Sequence, residues 1–349
     1  MKKTCFNVSF TLALAALGTC GGAAAQSQVT LFGVVDLGVA RVSHGDAGMT
    51  AMSYSGNTHT RFGLRGTEDL GGGLSAGFWL ESTVAADTGI SPGGFQRRST
   101  VSLMGNWGEL RLGRDMAATN LNPSWFDPFG GTGIGQPTVY SMLGSPIRVS
   151  NALTYLLPRQ LGGWYGQAQV ALGEEPAGSA NASNNNNYVG ARLGYADKAL
   201  NVAGAVGRRN TGTAIVPAQV KATNLAVSYS FGSITPMAFW ARETDTRGAR
   251  IDALLIGATL RQGAGEWRAA YSRYNRASSA DDWSKLALGY VHHLSKRTAV
   301  YGTYALVSNR GASAQQVSST GLPNWPASPL PAQAGANANG IEFGIRHSF

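Results

Sequence analysis

From Val29 onward the chain alternates apolar and polar residues with a period of two, in short runs broken by turn residues. Val29, Leu31, Gly33, Val35, Leu37 and Val39 fall on one face and Thr30, Asp36 and Ala40 on the other, which predicts a strand with one apolar side over 29–40. Residues 61–67 set Arg61, Gly63, Arg65 and Thr67 against Phe62, Leu64 and Gly66. After the Glu68–Gly73 turn, Leu74, Ala76, Phe78 and Leu80 oppose Ser75, Gly77, Trp79 and Glu81, and the two runs read as a hairpin. The pattern continues over 97–105, 109–114, 148–157, 165–172, 188–195, 200–208, 223–231, 235–242, 251–261, 267–274, 284–292, 298–307 and 340–349. These runs amount to about sixteen strands, an even number of the kind found in bacterial outer-membrane barrels.

The connections alternate in length. Short links at 196–199, 232–234 and 293–296 take turns with long polar ones at 174–187, 209–221 and 308–335. Short turns at one end and long loops at the other belong to a membrane barrel, and a soluble sandwich needs no such asymmetry. The low-complexity stretches 184–187 and 327–338 read as flexible solvated loop. Tyr155, Tyr195, Phe231, Tyr290 and Phe349 recur near predicted strand ends, where amphipathic rings form interfacial girdles. One stretch breaks the alternation for much longer: 115–144 holds no sustained period of two, and an irregular insert of that length among strands is usually functional. It is expected to fold into the tube and narrow it.

Composition fits a barrel. The chain has 349 residues, 43% hydrophobic and 13% charged, a mean hydropathy of −0.09 and no apolar run of membrane-helix length. Lipid-facing and lumen-facing residues would cancel in such an average. Lys2 and Lys3 precede an apolar stretch over 8–17, and Ala23-Ala24-Ala25 supplies a small-residue cleavage site, so 1–25 reads as a cleaved signal peptide and 26–349 as the barrel. Leu17-Gly18-Thr19-Cys20 offers a lipoprotein box as the competing reading. Both cysteines, Cys5 and Cys20, lie in the expected leader, so the exported chain would hold no disulfide and would rely on a closed hydrogen-bonded barrel. Cleavage removes two of 28 Lys+Arg and none of 19 Asp+Glu, taking the net charge from +9 to +7.

Five motifs in order carry a family resemblance. Val29–Asp36 (VTLFGVVD), Arg61–Gly71 (RFGLRGTEDLG), Gly108–Arg114 (GELRLGR), Leu294–Thr298 (LSKRT) and the terminal Gly344–Phe349 (GIRHSF) resemble the general trimeric porins of Gram-negative outer membranes, in their beta-proteobacterial form. The resemblance implies an all-β, 16-stranded antiparallel transmembrane β-barrel with an inward-folded third extracellular loop, which would be 115–144. It also implies first and last strands that pair to close the barrel, a terminal Phe349, with Arg346 in its motif, read by the assembly machinery, and a homotrimer latched by the second loop at 85–95. Glu81 and Asp87 could pair with basic groups of the adjacent subunit. Outer-membrane lipid, lipopolysaccharide, small hydrophilic solutes and anions follow as partners.

Within the insert, Asp127-Pro128-Phe129-Gly130-Gly131 resembles the family's Pro-Glu-Phe-Gly-Gly loop tip. A Pro stands where a glutamate is usual, leaving Asp127 as the nearest acid, with Asp115 at the loop's root. Opposite it the family carries a basic cluster, which maps onto Arg61, Arg97 and Arg148. Strand parity supports Arg61 and Arg148 independently. Arg97 shares parity with apolar Val101 and Leu103 unless a bulge intervenes. Arg65, Arg111 and Arg114 are open between pore lining and lipopolysaccharide contact. Guanidinium groups stay charged and act on every passing solute in a narrow pore, so an arginine wall facing a nearly neutral loop implies anion preference.

Other chemistries find little support. His292-His293 has no third ligand nearby and reads as a solvated turn, His44 and His59 fall in or beside the first loop, and His347 lies in the last strand. No hydrolase elbow, phosphate loop or zinc-protease motif occurs, and neither metal nor cofactor is implied. The pI of 9.7 alone would allow nucleic-acid binding, but export and the scatter of Lys and Arg over many strands argue against it. A structural or adhesin barrel using its long loops, or a barrel enzyme, are the alternatives to a channel.

Overall fold

The computed structural model describes residues 28–91, 93–137, 142–174, 186–212, 216–317, 321–322 and 330–349; the expected signal peptide, 1–25, lies outside them. Among the described residues, 17 strands form a single antiparallel sheet. They are β1 (Gln28–His44), β2 (Ala47–Tyr54), β3 (Arg61–Gly71), β4 (Leu74–Thr83), β5 (Arg98–Gly105), β6 (Gly108–Met116), β7 (Arg148–Leu156), β8 (Trp164–Ala171) and β9 (Tyr188–Ala196). The rest are β10 (Leu200–Asn210), β11 (Gln219–Tyr229), β12 (Ile234–Asp245), β13 (Arg250–Gln262), β14 (Gly265–Arg276), β15 (Trp283–His293), β16 (Thr298–Asn309) and β17 (Ala338–Ser348).

β1 pairs with β2, each strand from β3 on pairs with the next, and the sheet closes where β1 meets β17 in register from Val34↔Ser348 to His44↔Ala338. The other edge of β1 carries β3 along its first half and β2 along its second. Strands β2 and β3 are therefore two parts of one stave, interrupted at 55–60, and the closed barrel has 16 staves. Closure leaves no open edge, which is what a sheet in hydrocarbon requires.

Alternation sets the two faces. Val29 and Leu31 are about 60% exposed, and Leu225, Ile256, Leu288 and Phe343 point outward in the same way, whereas Asp36, Ala40, Val42 and His44 are buried inside. Rings pair near the short turns as Trp107 with Tyr155, Trp164 with Tyr195, Tyr229 with Phe231 and Trp267 with Tyr290. That is one of the expected girdles, and it marks the periplasmic end.

The first stave differs from its expected outline. β1 runs on to His44, and β2 occupies what reads in the sequence as first loop, so His44 is a strand residue, buried against the Pro331 carbonyl, while His59 sits in the interruption. Ala47–Tyr54 mixes Met, Ala, Ser and Thr on both faces, and no apolar stripe announces it. The insert begins after β6 and ends before β7, over 117–147, and Asp115 belongs to β6.

Candidate functional site

The insert folds into the barrel as a short helical turn, Ala118–Asn120, a helix of five residues, Leu121–Trp125, and an irregular tip. Its apolar residues Phe126, Phe129 and Ile134 are buried with Phe239, Leu255, Tyr274 and Trp283 of the wall, which places the hydrophobic core inside the barrel. Glycines on the wall make room for the tip: a Cβ on Gly257 would lie 2.6 Å from Pro128, and one on Gly289 would lie 2.8 Å from Phe129. Gly133 has φ +62° and its Cβ position falls 2.0 Å from the Gly56 carbonyl, so a side chain is excluded there on two grounds.

Polar groups of the wall take up the insert's backbone. Gln169 accepts from Ala118 N–H at 3.0 Å, and Asn224 donates to the Thr119 carbonyl at 2.8 Å. Asn122 donates to Asn224 at 2.7 Å and accepts from Arg192 Nε at 2.6 Å, while the Arg192 guanidinium lies 4.4 Å over the Trp125 ring. Farther along, Lys285 Nζ donates to the Gln136 carbonyl at 2.7 Å, and Glu342 accepts from Ile134 N–H at 3.2 Å and Ser53 Oγ at 2.6 Å. Glu243 accepts from Leu143 N–H and from Ser145 Oγ. Buried charges are tolerated here because each has hydrogen-bonding partners.

The opposite side of the lumen is built from β3 to β7. Glu81 on β4 forms ion pairs with Arg97 Nε at 2.6 Å and Arg61 Nε at 3.6 Å, and Arg148 Nε donates to the Arg97 carbonyl at 3.0 Å. Two guanidinium groups thus pair with one carboxylate while the third is held only through a backbone carbonyl, three positive charges to one negative. His59 lies against them, and burial together with Arg97, Arg148 and Arg61 holds its imidazole well below the ordinary histidine range, hence neutral. Between this cluster and the insert's tip is a cavity of about 300 Å³, lined by His59, Arg61, Pro128, Phe129, Gly130 and Arg268 among others. A larger cavity of about 1010 Å³ reaches Arg97, Arg114 and Arg148 on one side and Gly131 and Gln136 on the other.

The structure brings Arg61, Arg97 and Arg148 together, and each gets there differently. Arg61 follows strand parity. Arg97 precedes the first residue of β5, so the parity of Val101 and Leu103 does not bind it. For Arg148, the parity shared with Ala152 and Thr154 fails, because the register of β6 and β7 shifts by one and Asn151 takes φ +54°; position at the strand's start carries it to Arg97 instead. Arg65 and Arg111 lie on the inner face toward the short turns, Arg111 paired with Glu109 and Asp115. Arg114 sits at the edge of the larger cavity, bonded to the Gln96 carbonyl and Ser150 Oγ at 2.6 Å each.

Asp127 does not present its carboxylate to the lumen. It is 5% exposed and accepts from the Phe129 and Gly131 N–H groups at 3.1 and 2.8 Å, and burial raises its pKa to about 6. Phe349 exchanges two backbone hydrogen bonds with Gly33, and its ring covers that bare glycine. Arg346 lies opposite Asp36 in the closing register. Residues not singled out from the sequence also matter. Parity alone points to Arg98, which shares a face with Thr100 and Ser102, and to Lys285, Arg192 and Arg268, each next to one outward Leu or Trp.

Comparison with known proteins gives concordant results. A family model described as Gram-negative porin matches residues 11–312. The chain is 36% identical over 354 residues to outer membrane porin protein 32 of Delftia acidovorans, covering 97% of this chain and 99% of that one. It is 28% identical over 378 residues to an outer membrane porin protein of Bordetella pertussis, covering 87% and 94%. The solved anion-selective porin from Comamonas acidovorans superposes with a TM-score of 0.83 at 35% identity, covering 93% of this chain and 100% of that one.

Proposed function

The chain belongs to the Gram-negative porin family, and from that premise we propose an anion-preferring pore whose selectivity wall is Arg61, Arg97 and Arg148. It is an outer-membrane channel for passive diffusion of small hydrophilic solutes. The observation that carries the anion preference is the imbalance across the narrow point. One side holds three guanidinium groups to one carboxylate, and the other offers an insert whose single acid, Asp127, is turned into its own backbone. In a narrow aqueous pore with low-dielectric walls the uncompensated field acts on each passing ion. The solved porin from Comamonas acidovorans, described as anion-selective, supports the same reading.

Purified protein in a planar bilayer under a salt gradient tests it. The expected reversal potential has the sign of chloride permeation; a cation sign, or no conductance, overturns the reading. On the same family premise the working unit is a homotrimer with the second loop, 85–95, reaching a neighbour, and the exported chain is 26–349 after removal of 1–25. Phe349, with Arg346 in the same terminal motif, serves closure and assembly. SDS-resistant oligomers that dissociate on heating, and a mature N-terminus at Gln26, are the results expected.

A further inference from the structure

We propose that the lumen carries a second anion station, a stack of rings and guanidinium groups below the arginine wall, that takes planar aromatic carboxylates in preference to aliphatic ones of equal charge. It rests on the reading of the chain as an anion-preferring pore. Four inner-face residues build it: Phe32 of β1, Arg65 of β3, Trp79 of β4 and Arg98 of β5. Arg65 stands directly opposite Trp79 in the register, four residues from Arg61 toward the short turn, or roughly 13 Å along the strand at ~3.3 Å per residue.

The Arg65 guanidinium lies 5.3 Å from the Phe32 ring centre and 5.2 Å from that of Trp79, and the Arg98 guanidinium lies 4.5 Å over Trp79. The two rings meet edge to face at 5.0 Å. Gly63 makes the place for Phe32: a Cβ there would fall 2.5 Å from the ring's Cζ and 2.6 Å from the Leu80 carbonyl.

What separates this group from the wall above is how the cations are held. Among the described residues Arg65 forms no ion pair, and the carboxylate contact of Arg98, with Asp115, is long at 3.9 Å. Rings orient the guanidinium groups without cancelling their charge. The Arg65 guanidinium is exposed to the lumen although Phe32 and Trp79 flank it, so the cluster can extend by a further ring while the guanidinium's N–H fork accepts a carboxylate. A planar aromatic acid satisfies both at once. A saturated ring acid of the same size and charge satisfies only the second.

The test measures block of chloride current by benzoate and by cyclohexanecarboxylate in planar bilayers. Half-blocking concentrations about fivefold lower for benzoate are expected, and Trp79→Leu should bring the two acids together. Phe32→Leu, which leaves the Trp79–Glu81 hydrogen bond of 3.0 Å in place, serves if Trp79→Leu does not assemble, and should reduce the ratio in the same direction. Equal block by the two acids in wild type, or a ratio unchanged in the variant, overturns the station. The salt-gradient reversal potential recorded in the same bilayers separates the two claims: cation preference overturns the pore reading and the station together, while equal block in an anion-preferring channel overturns the station alone.

Discussion

The two sides of the lumen contain the same kinds of charged group and use them in opposite ways. On the side of β8 to β17, Glu243, Glu342, Lys285 and Arg192 are buried beneath the insert and each is hydrogen-bonded to its backbone or side chains. On the side of β3 to β7, Arg61, Arg97 and Arg148 border open cavities and outnumber their carboxylate. A charge that is paired inside the fold fixes geometry, and one left in surplus beside water shapes the field that a solute meets. The contrast predicts that substitutions on the first side change how wide and how steady the pore is, and those on the second change which ions pass.

The sharpest break comes from Arg61→Ala combined with Arg148→Ala. Arg97 and Glu81 remain as a neutral pair, so the surplus disappears. A unit charge about 5 Å from a permeating ion in water contributes ~0.8 kcal/mol, roughly fourfold in permeability. Losing two, at about fourfold each, should lower the anion-to-cation permeability ratio by at least about tenfold. Reversal potentials measure it directly, and an unchanged ratio would show that the wall does not select.

On the anchoring side, Glu342→Ala strands the Ile134 N–H and the Ser53 hydroxyl, which it accepts at 3.2 and 2.6 Å. Each stranded buried donor costs about 1–3 kcal/mol, enough to populate conformers with the insert's tip detached. The expected signature is noisier open-channel current with a higher mean conductance and little movement of reversal potential. Steady current at wild-type conductance would mean that the anchor is dispensable; a large selectivity shift would erase the distinction between the two sides.

The barrel was legible because alternation with period two survives wherever one face meets lipid and the other water. Where both faces meet protein or mixed chemistry, it faded: Ala47–Tyr54 has no apolar stripe, and its half of the stave shared with β3 reads as loop. The insert was legible as an absence of pattern, but its path was not, because Asn122, Lys285 and Glu342 find their partners 100 or more positions away. Parity placed Arg61 and would have found Arg98, yet it was no guide at the stave ends. Arg97 stands just outside β5 and Arg148 lies beyond the bulge at Asn151, and there the side chain follows local backbone geometry.

Asp127 lies on the boundary between the two kinds of charge and supplies the smallest and most specific prediction. Burial raises its pKa from 3.8 to about 6, although the Gly131 and Phe129 N–H groups and nearby Lys285 and Arg268 favour the carboxylate. For an acid with a raised folded pKa, the folded state holds a proton that the unfolded chain has released. That stabilisation is complete below 3.8, declines as the pH rises and is gone above about 6. Acidifying from pH 7.5 to 5 therefore removes a negative charge from the insert's tip without loosening it. Burial and three guanidinium groups hold the His59 imidazole well below the ordinary histidine range, which separates it from Asp127. Anion preference should rise by less than about twofold, with a midpoint near pH 6, because one partly screened charge is at stake. Asp127→Asn should fix the channel at its acid-side value and flatten the profile; a midpoint that survives in that variant would place the titrating group elsewhere.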